Sequence, residues 1–488
     1  MNDSQLRVRY APSPTGEPHL GNLRTALFNW LFSKNQGGVF IVREEDTDQN
    51  RKIDAAMELQ ERSLNWLGLD WDEGLGKEGQ FGPYIQSERL NYYQKAVQIL
   101  LESNKAYKCY CSKERLDQLR LDQRNAKSSK LGYDGHCKNI IVNSDNKISN
   151  KNYVIRFSMP SNGISSINDV VRGLVEFPND DVDDFVLLKT DGFPTYHLAS
   201  VVDDHYMNIS HVFRGEEWLP SVPKHIQLYK SLGWDPPVYL HLPYILAPDK
   251  SKLSKRHGAT SALSYKEKGY LPDAMVNFLS LLGWSLDGKT EIISRNDLID
   301  HFSIERINDS GAVFDIEKLN WMNGHYLRNM IPEELANNLH KYWVEYPPVE
   351  FDRTPTIEET NLITVLVQER IKTLNDAAPL VAFVFREHIY YEPFDVIQKG
   401  LDATETKKIL NQSIIVLNNI DDFVSVNIEN NLRSFAKEND LKLGYFLGTI
   451  RFATTAQEIS PPLFKSIEIL GKRLTLKRLE EASKILDL

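Results

Sequence analysis

The amino-terminal segment changes its hydrophobic period within a few residues. Residues 6–10 alternate apolar and polar positions, which predicts a β-strand. Residues 11–16 hold two prolines and a glycine, which predicts a loop. Apolar residues then recur at helical spacing from His19 to Leu31, and a second apolar strand follows at residues 39–42. Strand, loop, helix and strand in this order predict a βαβ unit.

The rest of the chain divides into two patterns. Further strand signals occur at residues 153–157, 174–177, 185–189, 211–214 and 238–242. Beyond about residue 325, a 3.6-residue periodicity dominates and ends in an amphipathic helix predicted over residues 467–488. We therefore expect an α/β amino-terminal half that contains an insertion, followed by an all-α carboxyl-terminal half.

Composition and charge narrow the class of protein. The chain has 488 residues and a net charge of −10, which argues against binding of nucleic acid through bulk positive charge but allows a locally basic face. A hydrophobic content of 41% excludes disorder as the main state, and three cysteines are too few for a disulfide framework. With no signal peptide and no apolar run of about 18 residues, we expect a cytoplasmic protein that is not bound to a membrane.

Two short motifs carry the chemistry. Residues 18–22, Pro-His-Leu-Gly-Asn, stand at the predicted loop–helix junction, where free N–H groups and the helix dipole favour an anion. Residues 252–256, Lys-Leu-Ser-Lys-Arg, suit a loop that reaches a polyphosphate. Alone, the first could be a plain helix start with an exposed histidine, and the second a solvated basic loop.

Together, the two motifs resemble the HIGH and KMSKS signatures of class I aminoacyl-tRNA synthetases. Asn22 replaces the last histidine of the first signature and Arg256 the last serine of the second. The surrounding sequence resembles the bacterial glutamyl-tRNA synthetases over essentially the whole chain, most densely over residues 7–325. The matching segments are 9–16, 43–48, 82–89, 194–199, 202–205, 214–218 and 319–324.

This resemblance implies the fold and its division. It implies an α/β Rossmann-type catalytic domain, split over residues 1–95 and 195–240, with an α+β acceptor-stem-binding insertion at 96–194. A stem-contact domain at 241–328 would hold the second signature. An all-α anticodon-binding region of two subdomains would occupy 329–488, where other branches of the family use β-barrels.

The implied reaction joins L-glutamate to tRNA-Glu in two steps. Glutamate attacks the α-phosphate of magnesium-bound ATP to give glutamyl-adenylate and pyrophosphate, and the glutamyl group then passes to the tRNA with release of AMP. The first step needs positioning and charge stabilisation rather than a protein nucleophile. The resemblance makes His19, Lys252 and Lys255 catalytic. It gives ATP contacts to Thr15, His19, Gly21, Asn22, Glu217, Lys252, Ser254 and Lys255.

The amino-acid pocket needs a cation for the side-chain carboxylate and an acceptor for the ammonium group. By resemblance its residues are Arg9, Ser13, Glu45, Tyr196, Ser200 and Arg214. An arginine fork that meets glutamine loses a hydrogen bond and opposes two donors, a penalty on the order of several kcal/mol. Single residues also allow simpler interpretations: Arg9 in a rim ion pair, Glu45 as a helix cap or partner of Arg43, and Ser200 as packing.

The three cysteines suggest a metal. Cys109, Cys111 and Cys137 resemble the first three ligands of a zinc knuckle found in some glutamyl enzymes. Tyr133 has the spacing of the fourth ligand in one variant of that knuckle, whereas Asn139 stands where another variant has histidine. Zn²⁺ bound by the three thiols and Tyr133 is therefore one hypothesis, and packing of the cysteines as small apolar residues is the other.

The carboxyl-terminal half should read tRNA. Arg370 lies where discriminating members of the family keep an arginine for the last anticodon base, which predicts a preference for tRNA-Glu over tRNA-Gln. One candidate basic face is the last helix, with Lys472, Arg473, Lys477 and Arg478. By family resemblance we expect a monomer.

We compared three other functions with the sequence, and only the last of them stays open. An adenylate-forming enzyme without tRNA would leave the helical half without a purpose. A catalytically dead RNA-binding paralogue would not need to keep His19, Gly21, Lys252 and Lys255. A relaxed synthetase that also charges tRNA-Gln is compatible with the sequence.

Overall fold

The computed structural model describes residues 5–51, 53, 55–128, 131–138, 152–254, 256, 261–398 and 400–486. They form two compact units. The larger unit comprises Met1–Lys266 and Pro272–Ile316, and the helical unit comprises Glu267–Leu271 and Glu317–Leu488. No helix in the described ranges combines the length and the apolar character needed to cross a bilayer. The four-part domain division stays a prediction.

The larger unit is built around a parallel sheet of five strands. These are β1 (Arg7–Tyr10), β2 (Val39–Val42), β3 (Glu73–Gly74), β9 (His211–Gly215) and β10 (Val238–Leu242), in the order β10-β9-β1-β2-β3. Helix α1 (Leu20–Gln36) connects β1 to β2, so the predicted βαβ unit is confirmed. Because β1 has β2 on one side and β9 on the other, the chain leaves the sheet in opposite directions there, which is where open α/β sheets bind ligands.

The central strand differs from its predicted pattern. Alternation predicted one polar face for β1, but all four of its residues are buried, with Arg7 5% and Arg9 4% exposed. A central strand of a parallel sheet is covered on both faces, so its arginines need buried partners. Arg7 has one in Glu73, with a bidentate pair at 3.0 and 2.7 Å.

The remaining strands of the larger unit lie in smaller sheets. Strands β4 (Ala106–Cys109), β5 (Val154–Phe157) and β8 (Val186–Leu188) form an antiparallel sheet, and β6 (Ile164–Asp169) pairs with β7 (Gly173–Pro178) as a two-stranded ribbon. Strands β11 (Ile245–Leu246) and β12 (Ala312–Val313) pair in parallel. The strand signals of the sequence at residues 153–157, 174–177, 185–189, 211–214 and 238–242 are thus confirmed.

The other helices of the larger unit pack on these sheets. They are α2 (Ala56–Leu67), α3 (Leu90–Glu102), α4 (Lys113–Asn125), α5 (Tyr196–Tyr206), α6 (Val222–Leu232), α7 (Ala262–Glu267), α8 (Pro272–Leu281) and α9 (Arg295–His301). One apolar core lies between helices α3, α5 and α6 and the two strands β5 and β8. It includes Tyr93, Phe157, Leu198 and Leu228.

The helical unit contains helices and no strand in its described part. Its helices are α10 (Ile316–Asn329), α11 (Pro332–Glu345), α12 (Ile357–Val367), α13 (Ala377–Val381), α14 (Pro393–Val396), α15 (Ala403–Asn418), α16 (Ser425–Glu438), α17 (Leu443–Thr455) and α18 (Leu463–Ile485). The all-α prediction for this half is confirmed. Helix α18 is interrupted at Gly471, whose φ of 77° is readily available only to glycine.

The last helix presents only part of the basic face that its sequence suggested. Arg473 is exposed, but Arg478 is completely buried. The Arg478 guanidinium donates to the carbonyl oxygens of Thr454, Phe383 and Arg386 at 2.7–2.8 Å. Burial lowers the pKa of Arg478 to about 10. Arg478 therefore holds neighbouring segments of this unit together and is not available to a ligand.

Candidate active site

The start of α1 forms one wall of a cavity. His19 is the N-cap residue, and its carbonyl oxygen accepts from the N–H groups of Asn22 and Leu23 at 2.9 and 3.2 Å. Earlier N–H groups have no acceptor within a helix, so this end offers donors and a positive dipole to an anion. Gly21 lies against the His19 ring, because a Cβ atom there would be 3.2 Å from Nδ1.

The second signature lies on the same cavity. Lys252 follows β11, and the backbone of Leu253 donates to Ile245 at 2.9 Å. The Lys252 ammonium lies 3.3 Å from Glu217 Oε1 and 4.3 Å from the centre of the Tyr244 ring. Both partners of this ion pair are partly exposed, so the contact is weak and exchangeable. Lys255 lies outside the described residues.

A buried charge network supports the floor of the cavity. Its members, defined here as the buried charge network, are Arg9, Arg43, Arg89, Glu45, Asp203 and Asp204. Asp204 accepts from Arg9 at 3.1 and 3.4 Å and from Arg43 at 2.8 Å. Burial would raise the pKa of Asp204, but the two guanidinium groups outweigh burial and lower it. Three cations and three carboxylates thus compensate one another.

Two predicted residues belong to this network. Arg9 also donates to the Phe213 carbonyl at 3.3 Å, which leaves it two of its five N–H groups. Glu45 accepts from Arg43 at 2.9 Å, the pairing that the simpler interpretation of the sequence suggested. Burial raises the pKa of Glu45 in spite of the neighbouring Arg43 and Arg9. Glu45 still lines the cavity, so an ionic pairing and a ligand contact are compatible.

Arg214 stands apart from the network. Its guanidinium is buried, and among the described residues no carboxylate forms an ion pair with it. It donates from Nε to His241 Nε2 at 2.9 Å and from Nη1 to Tyr196 and His225, both at 3.3 Å. Its Nη2 is buried and has no hydrogen-bond partner. A buried cation with a spare donor is costly unless an anion completes it.

The cavity brings most of the predicted residues together. It measures about 790 Å³. The predicted residues that line it are Arg9, Ser13, Thr15, His19, Gly21, Asn22, Glu45, Tyr196, Arg214, Glu217, Lys252 and Ser254. Ser200 is the exception: it lies on α5 with 1% exposure and is not among the lining residues. Its position fits the packing alternative.

The charge of this lining favours an anionic ligand. Five lining side chains are cationic and three are carboxylates: Arg9, Arg24, Arg214, Lys252 and Arg256 against Glu17, Glu45 and Glu217. The chain as a whole has a net charge of −10. The cavity is therefore a locally positive site in an acidic protein.

Comparison with known proteins agrees with this geometry. Residues 5–321 match the family described as tRNA synthetases class I (E and Q), catalytic domain, and residues 334–483 match an anticodon binding domain. The glutamate–tRNA ligase of Dehalococcoides mccartyi is 49% identical over 98% of both chains. That of Borrelia duttonii is 42% identical over 99% of this chain and 96% of its own.

A solved structure gives the same result. The crystal structure of a glutamate tRNA ligase from Elizabethkingia meningosepticum, in complex with its amino acid, superposes with a TM-score of 0.89. It is 33% identical and covers 99% of both chains. The chain belongs to the class I tRNA synthetases.

In this class I synthetase the three cysteines lie together. Their Sγ atoms are within 4.8 Å of one another, and Cys111 and Cys137 are 3.5 Å apart. The Tyr133 hydroxyl lies 3.5 Å from Cys109 Sγ and 3.6 Å from Cys111 Sγ. A tetrahedral zinc with Zn–S bonds of about 2.3 Å places its sulfur ligands roughly 3.8 Å apart. The cluster therefore has a spacing that zinc could use.

The tRNA-reading prediction falls in the helical unit of the synthetase. Arg370 is exposed in the turn that follows α12. Burial, and then the positive charge of Arg370, lower the pKa of Arg451. Two arginines thus lie near one another on this unit, and the role of Arg370 stays a prediction.

Several residues of the synthetase cavity were not predicted from the sequence. Trp218 packs against Tyr196 with ring centres 4.4 Å apart and ring planes inclined by 35°, and Arg24 donates to the carbonyl oxygens of Leu282 and Pro243. Outside the cavity lining, His225 and His241 contact Arg214. The one available signal was a histidine inside the apolar strand at residues 238–242, which needs a polar partner when it is buried.

Proposed function

We propose that this chain ligates L-glutamate to tRNA-Glu with ATP, through a glutamyl-adenylate, with release of AMP and pyrophosphate. The observation that carries the proposal is one cavity that joins a spare buried guanidinium donor, a helix amino terminus and a lysine whose ion pair is partly exposed. These three features suit, in turn, an amino-acid carboxylate, a phosphate and a leaving pyrophosphate.

The phosphates of magnesium-bound ATP would lie between His19 and Lys252. The first turn of α1 would bind phosphate oxygens through backbone N–H groups, with Asn22, Thr15 and Ser254 beside them. Lys252 would exchange Glu217 for the phosphates, because an exposed ion pair costs under about 1 kcal/mol to break. Lys255 is proposed to assist from the same segment.

Glutamate would bind across the floor of the cavity. Arg214 is the better candidate for a carboxylate, because the charge of Arg9 is already balanced by Asp204. Arg9 would add a donor through its remaining N–H groups. Glu45 and Ser13 would receive the ammonium group, and Tyr196 would orient Arg214.

The test is glutamate-dependent exchange between ATP and pyrophosphate, with and without tRNA-Glu. Glutamine in place of glutamate is the control. Exchange with glutamate, together with charging of tRNA-Glu, would support the proposal. A folded protein without exchange under either condition would refute it.

We also propose that the cysteine cluster binds Zn²⁺ through Cys109, Cys111, Cys137 and the Tyr133 oxygen. The support is that the three Sγ atoms lie within 4.8 Å of one another, near the spacing of roughly 3.8 Å in a tetrahedral zinc site. Zinc there would stabilise the fold around β4 and would not take part in catalysis. Elemental analysis after gel filtration should find about one zinc per chain, and Cys137→Ser should lose it. Less than a few tenths of a zinc in the parent chain would refute the site.

A relaxed specificity is the second candidate. Arg370 is the observation that favours the discriminating form, since it is exposed and an arginine can read a base edge. We expect the chain to charge tRNA-Glu in preference to tRNA-Gln. We also expect it to be a monomer, and light scattering would check its molar mass. Equal charging of both tRNAs would support the relaxed enzyme.

A further inference from the structure

The Arg214 guanidinium is held on its Nε side by a chain of two buried groups. Arg214 on β9 and His241 on β10 are direct partners in the parallel register, so their side chains lie on the same face of the sheet. Arg214 Nε lies 2.9 Å from His241 Nε2, and His241 Nδ1 lies 2.6 Å from Asp169 Oδ2. Arg214, His241 and Asp169 are each 5% exposed or less.

Arg214 and Asp169, at the two ends of this hydrogen-bonded row, determine which nitrogen of His241 carries the proton. Arginine stays protonated, so its Nε–H must donate and His241 Nε2 must accept. The single proton of a neutral imidazole is then on Nδ1 and is donated to the Asp169 carboxylate. Burial lowers the pKa of His241 although Asp169 raises it, which agrees with a neutral ring.

On the Nη1 side of Arg214, the positions of the histidine protons are not fixed in this way. Nη1 donates to His225 Nδ1, and His225 Nε2 faces His197 Nδ1 at 3.3 Å. His197 Nε2 in turn lies 3.5 Å from the Lys224 ammonium. Burial lowers the pKa of both histidines, that of His197 to about 3. Two neutral rings between two cationic donors cannot satisfy all three contacts, so this flank gives weaker orientation.

Asp169 is built into its place by the ribbon that carries it. It ends β6, and its Oδ1 accepts from the N–H groups of Val171 and Arg172 at 3.0 Å. The backbone of His241 donates to the same carboxylate, and Val170 donates to Tyr239 on β10 at 3.0 Å. A turn of the predicted insertion thus reaches a strand of the catalytic sheet.

We infer that Asp169 and His241 are positioning residues for Arg214: they fix its guanidinium so that the free Nη2 meets the side-chain carboxylate of the amino-acid substrate, and they thereby set the preference for glutamate over glutamine. This inference rests on the proposed function. Neither residue lines the cavity, so each acts through Arg214 alone.

Asp169→Asn gives a specific consequence. With Oδ1 still bound to the backbone of Val171 and Arg172, the new amide places its NH₂ group against His241 Nδ1. His241 must then accept there and carry its proton on Nε2, where it opposes Arg214 Nε–H. The guanidinium is displaced, whereas Oδ1 keeps its contacts with the N–H groups of Val171, Arg172 and His241.

The experiment compares three variants by exchange between ATP and pyrophosphate. Asp169→Asn should raise KM for glutamate at least 10-fold, lower the glutamate-to-glutamine preference by a similar factor, and leave KM for ATP within 2-fold. His241→Gln should change KM for glutamate less than 5-fold, because a glutamine oxygen still accepts from Arg214. In the double variant, the amide at 169 no longer controls a ring tautomer. KM for glutamate should therefore return to the value of His241→Gln.

The matched control is Asp184→Asn. Asp184 is also buried in the predicted insertion and accepts from Tyr107 at 2.6 Å, but it has no contact with Arg214. It should leave KM for glutamate unchanged. If Asp169→Asn does not fold, His241→Leu, which has no acceptor, should raise KM for glutamate at least 10-fold where His241→Gln does not.

Four results would overturn the inference. In the first, the double variant is as impaired as Asp169→Asn, and in the second, Asp169→Asn raises KM for ATP as much as KM for glutamate. In the third, Asp184→Asn raises KM for glutamate as much as Asp169→Asn, and in the fourth, His241→Leu and His241→Gln raise it equally. A parent chain that exchanges with glutamate while these comparisons fail would leave the proposed function standing. A parent chain without exchange would refute both.

Discussion

Asp204 is the residue on which the buried charge network depends most. Asp204→Asn keeps the size of the side chain and one acceptor oxygen, but it removes the negative charge between Arg9 and Arg43 and opposes an NH₂ group to their donors. Asp204 is 3% exposed, and Arg9 and Arg43 are 4% and 0% exposed, so water cannot replace the lost interaction. Removing one partner of such a buried pair costs about 3–5 kcal/mol.

The assay is thermal unfolding at pH 7, followed by calorimetry. At about 2–4 °C per kcal/mol, Asp204→Asn should lower the Tm of the larger unit by roughly 6–20 °C. The control is Asp70→Asn: its ion pair with Lys34 at 3.0 Å is partly exposed, and an asparagine oxygen can still accept from Trp30 Nε1. That variant should lose under about 1 kcal/mol. A fall below about 3 °C for Asp204→Asn would refute the compensated network.

The same variant predicts a dependence on pH. The folded-state pKa of Asp204 is lowered, so its contribution is fully present above the unfolded value of about 3.9 and is lost as the pH falls through the folded value. The Tm difference between the parent and Asp204→Asn should therefore be constant from pH 5.5 to 7.5. A difference that already shrinks at pH 6 would contradict a lowered pKa.

Three further predictions follow from the site and the helical unit. Gly21→Ala should lower kcat for exchange about 2–10-fold, because its Cβ would push the His19 ring by a few tenths of an ångström, with Tm unchanged as the check. Glu45→Gln should raise KM for glutamate on the order of 10-fold through the loss of one charged hydrogen bond, and an equal rise in KM for ATP would contradict that role. Arg478→Met should destabilise the helical unit by about 2–4 kcal/mol in urea unfolding through the loss of three carbonyl contacts. It should leave exchange intact, and a loss of tRNA binding at full stability would contradict its structural role.

The local elements could be predicted because their causes are local. The βαβ unit follows from alternation at residues 6–10, the breakers at 11–16 and the helical spacing from His19. The helical half follows in the same way from its periodicity. His19 and Arg214 lie on one cavity because the carboxyl ends of β1 and β9 lie at the same edge of the parallel sheet. Lys252 of the second signature reaches the same cavity from the segment after β11.

The long-range contacts could not be predicted. Arg9 is buried because Asp204, 195 residues away, balances it, and Asp169 reaches His241 across 72 residues. From the sequence, Arg478 was predicted to be part of a basic face. Its partners, however, lie 24 to 95 residues away and cover it. The sequence records each charged side chain, but only the fold determines which opposite charge or carbonyl accompanies it.

Because of the buried charge network, the binding of glutamate and the binding of tRNA should respond differently to ionic strength. Because its six charges cancel and its members other than Glu45 are buried, added salt should loosen the floor on which glutamate would rest only slightly. A tRNA held by exposed phosphate contacts, in contrast, loses affinity steeply as counterions compete. Potassium chloride should therefore raise KM for tRNA while KM for glutamate stays nearly level, which offers a simple handle for studying the two steps apart.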